Sequence, residues 1–172
     1  TQGQDVDYIK SNFNSVEELY KYEEEKCSEI AQDGIVLLKN DNNLLPLKND
    51  TTFSLFSVSS IDLVSGGSGS GSGSFELTKN LKEGLEGTGF KVNETLWNFY
   101  KSLDREEYGR GPGVINYGEN LDWSINECPL NVITSNPELV ESFKNTTAVF
   151  VLSRTGGEGG DESRDMAAFG GR

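Results

Sequence analysis

The sequence predicts an α/β domain with a mostly parallel sheet. Apolar segments typical of strands alternate with segments of helical periodicity. The run TAVFVLS, residues 147–153, is continuously apolar, as strands of a parallel sheet are when helices cover both faces. The chain has 172 residues and is 34% hydrophobic, which suits one domain with a packed core.

The first element is a long amphipathic helix. Residues 1–14 are polar and predict an N-terminal extension, so that the α/β domain occupies residues 15–172. Ser15 is a typical N-cap, the helix is predicted over 17–33, and Gly34 is well placed to end it. Apolar residues recur at helical spacing at Val16, Leu19, Tyr20, Cys27, Ile30 and Ala31. Because Cys27 lies on this apolar stripe, we expect it to be a buried free thiol, although a disulfide with Cys128 stays open.

The remaining elements follow from local patterns. A helix at 135–145 is indicated by Asn136 as cap and Pro137 at the first helical position. The Gly- and Asn-rich stretch 104–131 has no clear period and predicts a loop. The others are a short buried run at 35–39, a strand at 53–59, a helix at 75–89 that contains Leu77, Leu81 and Leu85, a short strand at 90–92, a helix at 94–103 and a buried strand at 147–153.

Composition excludes several classes of function. The net charge of −13 argues against binding to nucleic acid and to an anionic membrane surface. No apolar run approaches the roughly 20 residues of a membrane helix. With no histidine and two cysteines, the chain alone builds neither a Ser–His or Cys–His nucleophile pair nor a four-thiolate zinc site. We therefore expect no metal and no cofactor, and acid–base chemistry falls to carboxylates, Tyr or Lys.

Processing and compartment are only partly indicated. The first residues show no secretory signal and no initiator Met, so we expect a chain that was processed, trimmed or cut from a longer one. Asn49, Asn93 and Asn145 each begin an Asn-x-Ser/Thr triplet, which we interpret as coincidence in an Asn- and Thr-rich chain. An extracellular and a cytoplasmic location both stay open.

Two glycine-rich segments each follow a predicted strand. SGGSGSGSGS, residues 65–74, is typical either of a flexible linker or of a site loop whose backbone approaches a ligand. A phosphate cradle is disfavoured because no Walker lysine follows. In open α/β sheets, ligands bind beyond the carboxyl ends of the strands. We therefore expect that both segments can share one edge of the sheet and line one crevice.

The second segment, TGGEGGDES, contains Glu158 between pairs of glycines. The carboxylate is either solvated surface or a general acid that reaches a substrate. The glycines favour the second interpretation, since they leave room for a bulky substrate and allow the loop to move.

Three motifs in this order resemble glycoside hydrolase family 3, chiefly β-glucosidases. CSEIAQDGIVLLKNDNNLLPL resembles the segment that opens the family's second domain. SGGSGSGS is similar to its GG-S/T-G-S-G loop, and FVLSRTGGEGGDESRD is similar to its R-x-S/G-G-E-G-x-D loop. The resemblance extends from about Glu17 to Asp165.

The resemblance implies an (α/β)6-sandwich domain of a retaining β-glycosidase, most simply a β-glucosidase. Glu158 matches the family's acid/base glutamate, while Gly67, Ser68 and Gly157 match sugar-facing positions. The nucleophilic aspartate of the family lies on a (β/α)8 barrel, which would be the partner domain or chain of this segment. Oligomerisation and sugar specificity stay open.

The chain departs from the family pattern in two ways. No residue matches the barrel nucleophile, and the sandwich is expected to be incomplete because its C-terminal part is missing. Both departures are explained if the whole enzyme has an inverted domain order, or if the chain is a fragment. We expect no hydrolase activity from this chain alone. The rival interpretations are a non-catalytic sugar-binding or interaction module of the same fold and an unrelated nucleotide-binding domain.

Overall fold

A computed structural model describes residues 11–66, 78–116 and 120–156, with only the backbone for 113–116, 120 and 121. The described residues up to Pro46 form one compact unit, and those from Leu47 form another. In chain order the elements are α1 (Val16–Gly34), β1 (Thr52–Phe56), α2 (Leu81–Gly87), β2 (Lys91–Val92), α3 (Glu94–Ser102), β3 (Gly109–Arg110), β4 (Gly113–Asn116), β5 (Asn120–Asp122), β6 (Ile125–Asn126), α4 (Leu130–Thr134), α5 (Pro137–Ser142) and β7 (Thr147–Phe150). The domain boundaries expected from the sequence stay a prediction.

The first unit contains α1, and the N-cap predicted for it is confirmed. The Ser15 hydroxyl accepts a hydrogen bond from the Glu18 backbone N–H at 3.2 Å. In return the Glu18 carboxylate accepts one from the Asn14 N–H at 2.8 Å. Side-chain acceptors thus satisfy backbone donors at the start of the helix, and Glu17 and Glu18 lie where the helix dipole favours negative charge.

Two burial predictions for this unit are wrong. Cys27 is an exposed free thiol, and no residue of α1 is buried. Residues 35–39 form neither helix nor strand, and Leu38 is 90% exposed. Apolar periodicity predicts which face needs a partner, whereas burial requires that partner to be present.

The second unit is built on a parallel sheet with strand order β2-β1-β7, which confirms the predicted fold class. β1 is central and nearly continuously buried, although apolar and polar residues alternate along 53–59. β7 lies at the edge of the three strands, so alternate residues are exposed and Phe150 is 59% exposed. The prediction that residues 147–153 form a fully buried strand is therefore wrong.

Other helix and strand bounds are mostly close to the prediction. The helix expected at 75–89 is shorter among the described residues, because Asn80 and Glu83 form a capping box that starts α2 at Leu81. The stretch 104–131 is not a plain loop. It contains two antiparallel strand pairs, β3 with β6 and β4 with β5, and the start of α4. Strands this short leave no periodic signal in the sequence.

Asn93 joins three elements next to the sheet. Its side-chain oxygen caps α3 by accepting from the Leu96 N–H at 3.2 Å. Its amide nitrogen donates to Ser54 Oγ in β1 at 2.9 Å and to the Ser142 carbonyl in α5 at 3.0 Å. Asn93 is 7% exposed, so the folded chain does not present it for glycosylation.

Replacing Asn93 by alanine is expected to lower the free energy of unfolding by about 2–4 kcal/mol, because a cap and buried hydrogen bonds are lost together. The matched control is Asn136→Ala, which removes only the more exposed cap of α5 and should cost about 1 kcal/mol. Urea denaturation followed by circular dichroism measures both. Equal losses in the two variants would contradict the role given to Asn93.

Tyr100 is buried in α3, with 2% of its surface exposed. Burial raises the pKa of its phenol to about 12. A hydrogen bond with the Ser57 backbone lowers this pKa, whereas the charges of Glu127 and Cys128 raise it. The unfolded phenol titrates near pH 10. Between these values the folded chain keeps a proton that the unfolded chain has lost, so the free energy of unfolding falls as pH rises.

We therefore expect the free energy of unfolding of the wild-type chain to decrease more steeply between about pH 10 and 12 than that of Tyr100→Phe. Urea denaturation at a series of pH values compares the two slopes. The raised pKa of the partly buried Tyr108 is present in both proteins and cancels from the difference. Identical slopes would show that burial does not raise the pKa of the Tyr100 phenol.

Candidate functional site

All four site residues expected from the resemblance, Glu158, Gly157, Gly67 and Ser68, lie outside the described residues. Their roles stay predictions. The structure describes the strands that lead to them and the first residues after each strand, 57–66 and 151–156. The described part of the site is therefore the pair of strands and the residues that follow them.

β1 and β7 are adjacent and parallel. Their register runs from Phe53 opposite Thr147 to Phe56 opposite Phe150, and the Val151 N–H donates to the Phe56 carbonyl at 3.2 Å. Neighbouring strands are about 4.8 Å apart, so both chains leave the sheet side by side at the same edge. The two strands that precede the glycine-rich segments thus end at one edge, and the prediction that the segments themselves share this edge stays a prediction.

The chain turns sharply directly after β1. Ser57 has φ 93° and ψ 143°, a backbone conformation that costs free energy in any residue with a Cβ. The turn is closed by the Ser59 N–H, which donates to Ser57 Oγ at 3.1 Å, and by the Ser60 N–H and hydroxyl, which donate to the Ser57 carbonyl at 2.9 and 2.7 Å. These bonds hold a strained conformation in place.

Glu127 fixes this turn from a distant part of the sequence. Its carboxylate accepts from the Ser57 hydroxyl at 2.6 Å and from the Val58 N–H at 3.1 Å. It also accepts from the Cys128 N–H at 3.0 Å. Burial raises the pKa of the Cys128 thiol, and the nearby charge of Glu127 raises it further. Sequence reasoning missed Glu127 because nothing in the local pattern separates it from a surface carboxylate.

A second anchor lies after β7. Thr155 is 7% exposed, and its hydroxyl donates to the backbone carbonyl of Trp123. Trp123 follows Asp122, whose Oδ1 accepts from the Ser124 N–H at 3.0 Å. The hydrogen bonds from Ser124 lower the pKa of the Asp122 carboxyl. The turn that presents the Trp123 carbonyl is thus held internally.

An open depression of about 170 Å³ lies beside the turn after β1. It is lined by Val58, Ser59, Asp62, Val64, Arg110 and Ile125. Arg110 Nη2 and Asp62 Oδ1 are 3.3 Å apart there, so a donor and an acceptor meet next to apolar side chains. Within residues 11–66, 78–116 and 120–156, no cluster of His, Cys, Asp or Glu could hold a metal ion.

None of the helices in the described ranges is long and apolar enough to cross a membrane.

Comparison with known proteins identifies the relatives of this chain. No protein-family profile matches it. β-Glucosidase A of Butyrivibrio fibrisolvens is 32% identical over 145 residues, which are 82% of this chain. A solved β-glucosidase from Paenibacillus barengoltzii has 30% identity and a TM-score of 0.58 over 76% of this chain. β-Glucosidase 3B of Thermotoga neapolitana, solved in complex with α-D-glucose, has 28% identity and a TM-score of 0.57 over 83%.

The chain belongs to glycoside hydrolase family 3, as a partial domain. It spans 16% of the Butyrivibrio enzyme, 14% of the Paenibacillus chain and 20% of the Thermotoga chain. The partial family 3 domain thus corresponds to a small part of each of these relatives.

The role of Glu127 in the family 3 domain is testable by stability. Glu127→Ala leaves the Ser57 hydroxyl and the Val58 and Cys128 N–H groups without their acceptor, so the free energy of unfolding should fall by about 1–3 kcal/mol. Glu127→Gln keeps one acceptor oxygen and should lose less. Urea denaturation of the three proteins measures the order, and a Glu127→Ala variant as stable as wild type would contradict it.

Proposed function

We propose that this chain supplies the general acid/base of a retaining β-glycosidase, most simply a β-glucosidase, and that Glu158 is this residue. The supporting observation is the parallel pairing of β1 with β7, by which the two strands that precede the glycine-rich segments end at one edge of the sheet. Similarity of 28–32% to β-glucosidases supports the substrate class, a terminal β-linked sugar. Gly67, Ser68 and Gly157 are proposed to face this sugar.

The proposed reaction has two steps. In the first, protonated Glu158 donates its proton to the glycosidic oxygen while a second carboxylate attacks the anomeric carbon, so that the aglycone leaves and a glycosyl–enzyme bond forms. In the second, ionised Glu158 takes a proton from water, which attacks the anomeric carbon and breaks that bond. The proton returns to Glu158, and the sugar keeps its anomeric configuration.

The second carboxylate is proposed to belong to a barrel domain outside this chain. A retaining site needs its two carboxyl groups about 5–5.5 Å apart, so the barrel must pack against the edge where β1 and β7 end. The chain has exposed apolar surface suited to further polypeptide, since Ile35, Val36, Leu37 and Leu38 are 60–90% exposed. A small part of a longer enzyme is expected to expose such surface.

Glu158→Ala, made in an enzyme that joins this segment to its nucleophile domain, should lower kcat on aryl β-glucosides by about 10²–10⁴-fold. Azide should restore turnover and yield a glycosyl azide, because it attacks the anomeric carbon without needing a general base. Stopped assays and product analysis measure both effects.

The matched control is Glu162→Ala, which removes another carboxylate of the same segment and should retain most activity. The 172-residue chain alone should hydrolyse no aryl glucoside. Near-normal turnover of Glu158→Ala would refute the assignment. Sugar binding with no turnover by the complete protein would favour a non-catalytic module instead.

A further inference from the structure

Thr155 stands out among the residues that follow β7. Leu152 is 93% exposed, and Arg154 and Gly156 are exposed, whereas Thr155 is 7% exposed. Its hydroxyl donates to the Trp123 carbonyl, which lies 32 positions earlier in the chain. A buried hydroxyl with a fixed partner holds the backbone that precedes Glu158, because only Gly156 and Gly157 separate the two residues.

The partner of Thr155 belongs to a short piece of chain with several hydrogen bonds of its own, which we term the 122–127 segment. At its start the Asp122 side chain accepts from the Ser124 N–H, and the Ser124 carbonyl accepts from the Gly111 N–H at 2.8 Å. Ile125 then pairs with Arg110 in the β3–β6 ladder and packs against the core. These contacts leave the segment little freedom to shift.

The same segment ends at Glu127, which holds the turn after β1 through Ser57 and Val58. The 122–127 segment is therefore bonded at one end to the turn that follows β1, and near its other end to Thr155 after β7. It links the two chains beyond the strand ends, in addition to the pairing of β1 with β7.

We propose that Thr155 is a positioning residue, which acts through the Trp123 carbonyl to fix the base of the Glu158 loop relative to the loop after β1. This inference rests on the proposed function of Glu158. Glycine-rich loops need such an anchor, because a proton donor displaced by about 1 Å can lose roughly 10²-fold in rate.

The first test uses the chain by itself and needs no activity. Thr155→Val keeps the size of the side chain and removes the donor, whereas Thr155→Ser keeps the donor. The backbone order parameter of the Gly156 amide, measured by ¹⁵N relaxation, should fall from about 0.85 to below about 0.6 in the valine variant and stay high in the serine variant. An unchanged order parameter in Thr155→Val overturns the anchor.

The second test uses the enzyme that joins this segment to its nucleophile domain. Thr155→Val should lower kcat by about 10- to 100-fold with KM within about twofold of wild type, and Thr155→Ser should recover most of kcat. The matched control is Thr146→Val at the opposite end of β7, where the hydroxyl also donates to a carbonyl, that of Phe143, at 2.8 Å. At temperatures where the Thr146→Val enzyme is still folded, its kcat should equal that of the wild type.

The outcomes separate the two proposals. If Glu158→Ala abolishes turnover and Thr155→Val keeps wild-type kcat, the positioning role is wrong and the acid/base role stands. If Glu158→Ala keeps turnover, both are wrong. If Thr155→Val and Thr146→Val lose kcat equally, the effect is one of general stability and the positioning role is overturned.

Discussion

The parallel pairing of β1 with β7 is the constraint on which the proposed site depends. Parallel neighbours have their carboxyl ends at one edge, and in this chain a glycine-rich segment follows each of those ends within about ten residues. Had β7 been antiparallel to β1, the second segment would begin at the opposite edge. The backbone hydrogen bonds between β1 and β7 therefore place the ends of two strands that are far apart in sequence side by side.

Backbone hydrogen bonds join the two strands, and side chains fix the first residues that follow each strand. Ser57 adopts a strained positive φ, and Glu127 holds it there with charge-assisted hydrogen bonds. Thr155 is tied to the carbonyl of Trp123. Backbone strain that several hydrogen bonds hold in place is common at functional sites. Here the strained residue, Ser57, directly follows β1 at the proposed catalytic edge of the sheet.

Local signals account for most of what the sequence predicted about this fold. Ser15 and Asn136 cap helices, and the alternating sequence at 53–59 indicates a strand, because each effect acts within a few residues. Exposure of Cys27 and Leu38 could not be predicted, since it depends on whether a partner covers them. Glu127 and Thr155 were missed because their partners are distant in sequence. The glycines around Glu158 favoured a general acid, whereas its assignment as the acid/base of a glycosidase came only through resemblance.

The most direct measurement is a crystal structure of the complete enzyme with glucose bound. The account predicts that the Glu158 carboxylate lies within hydrogen-bond reach of the anomeric oxygen, with Gly67 and Ser68 beside the sugar. It also predicts that a second carboxyl group, from a domain outside this chain, lies about 5–5.5 Å from that of Glu158. Glucose bound in a pocket that Glu158 does not reach would contradict the account.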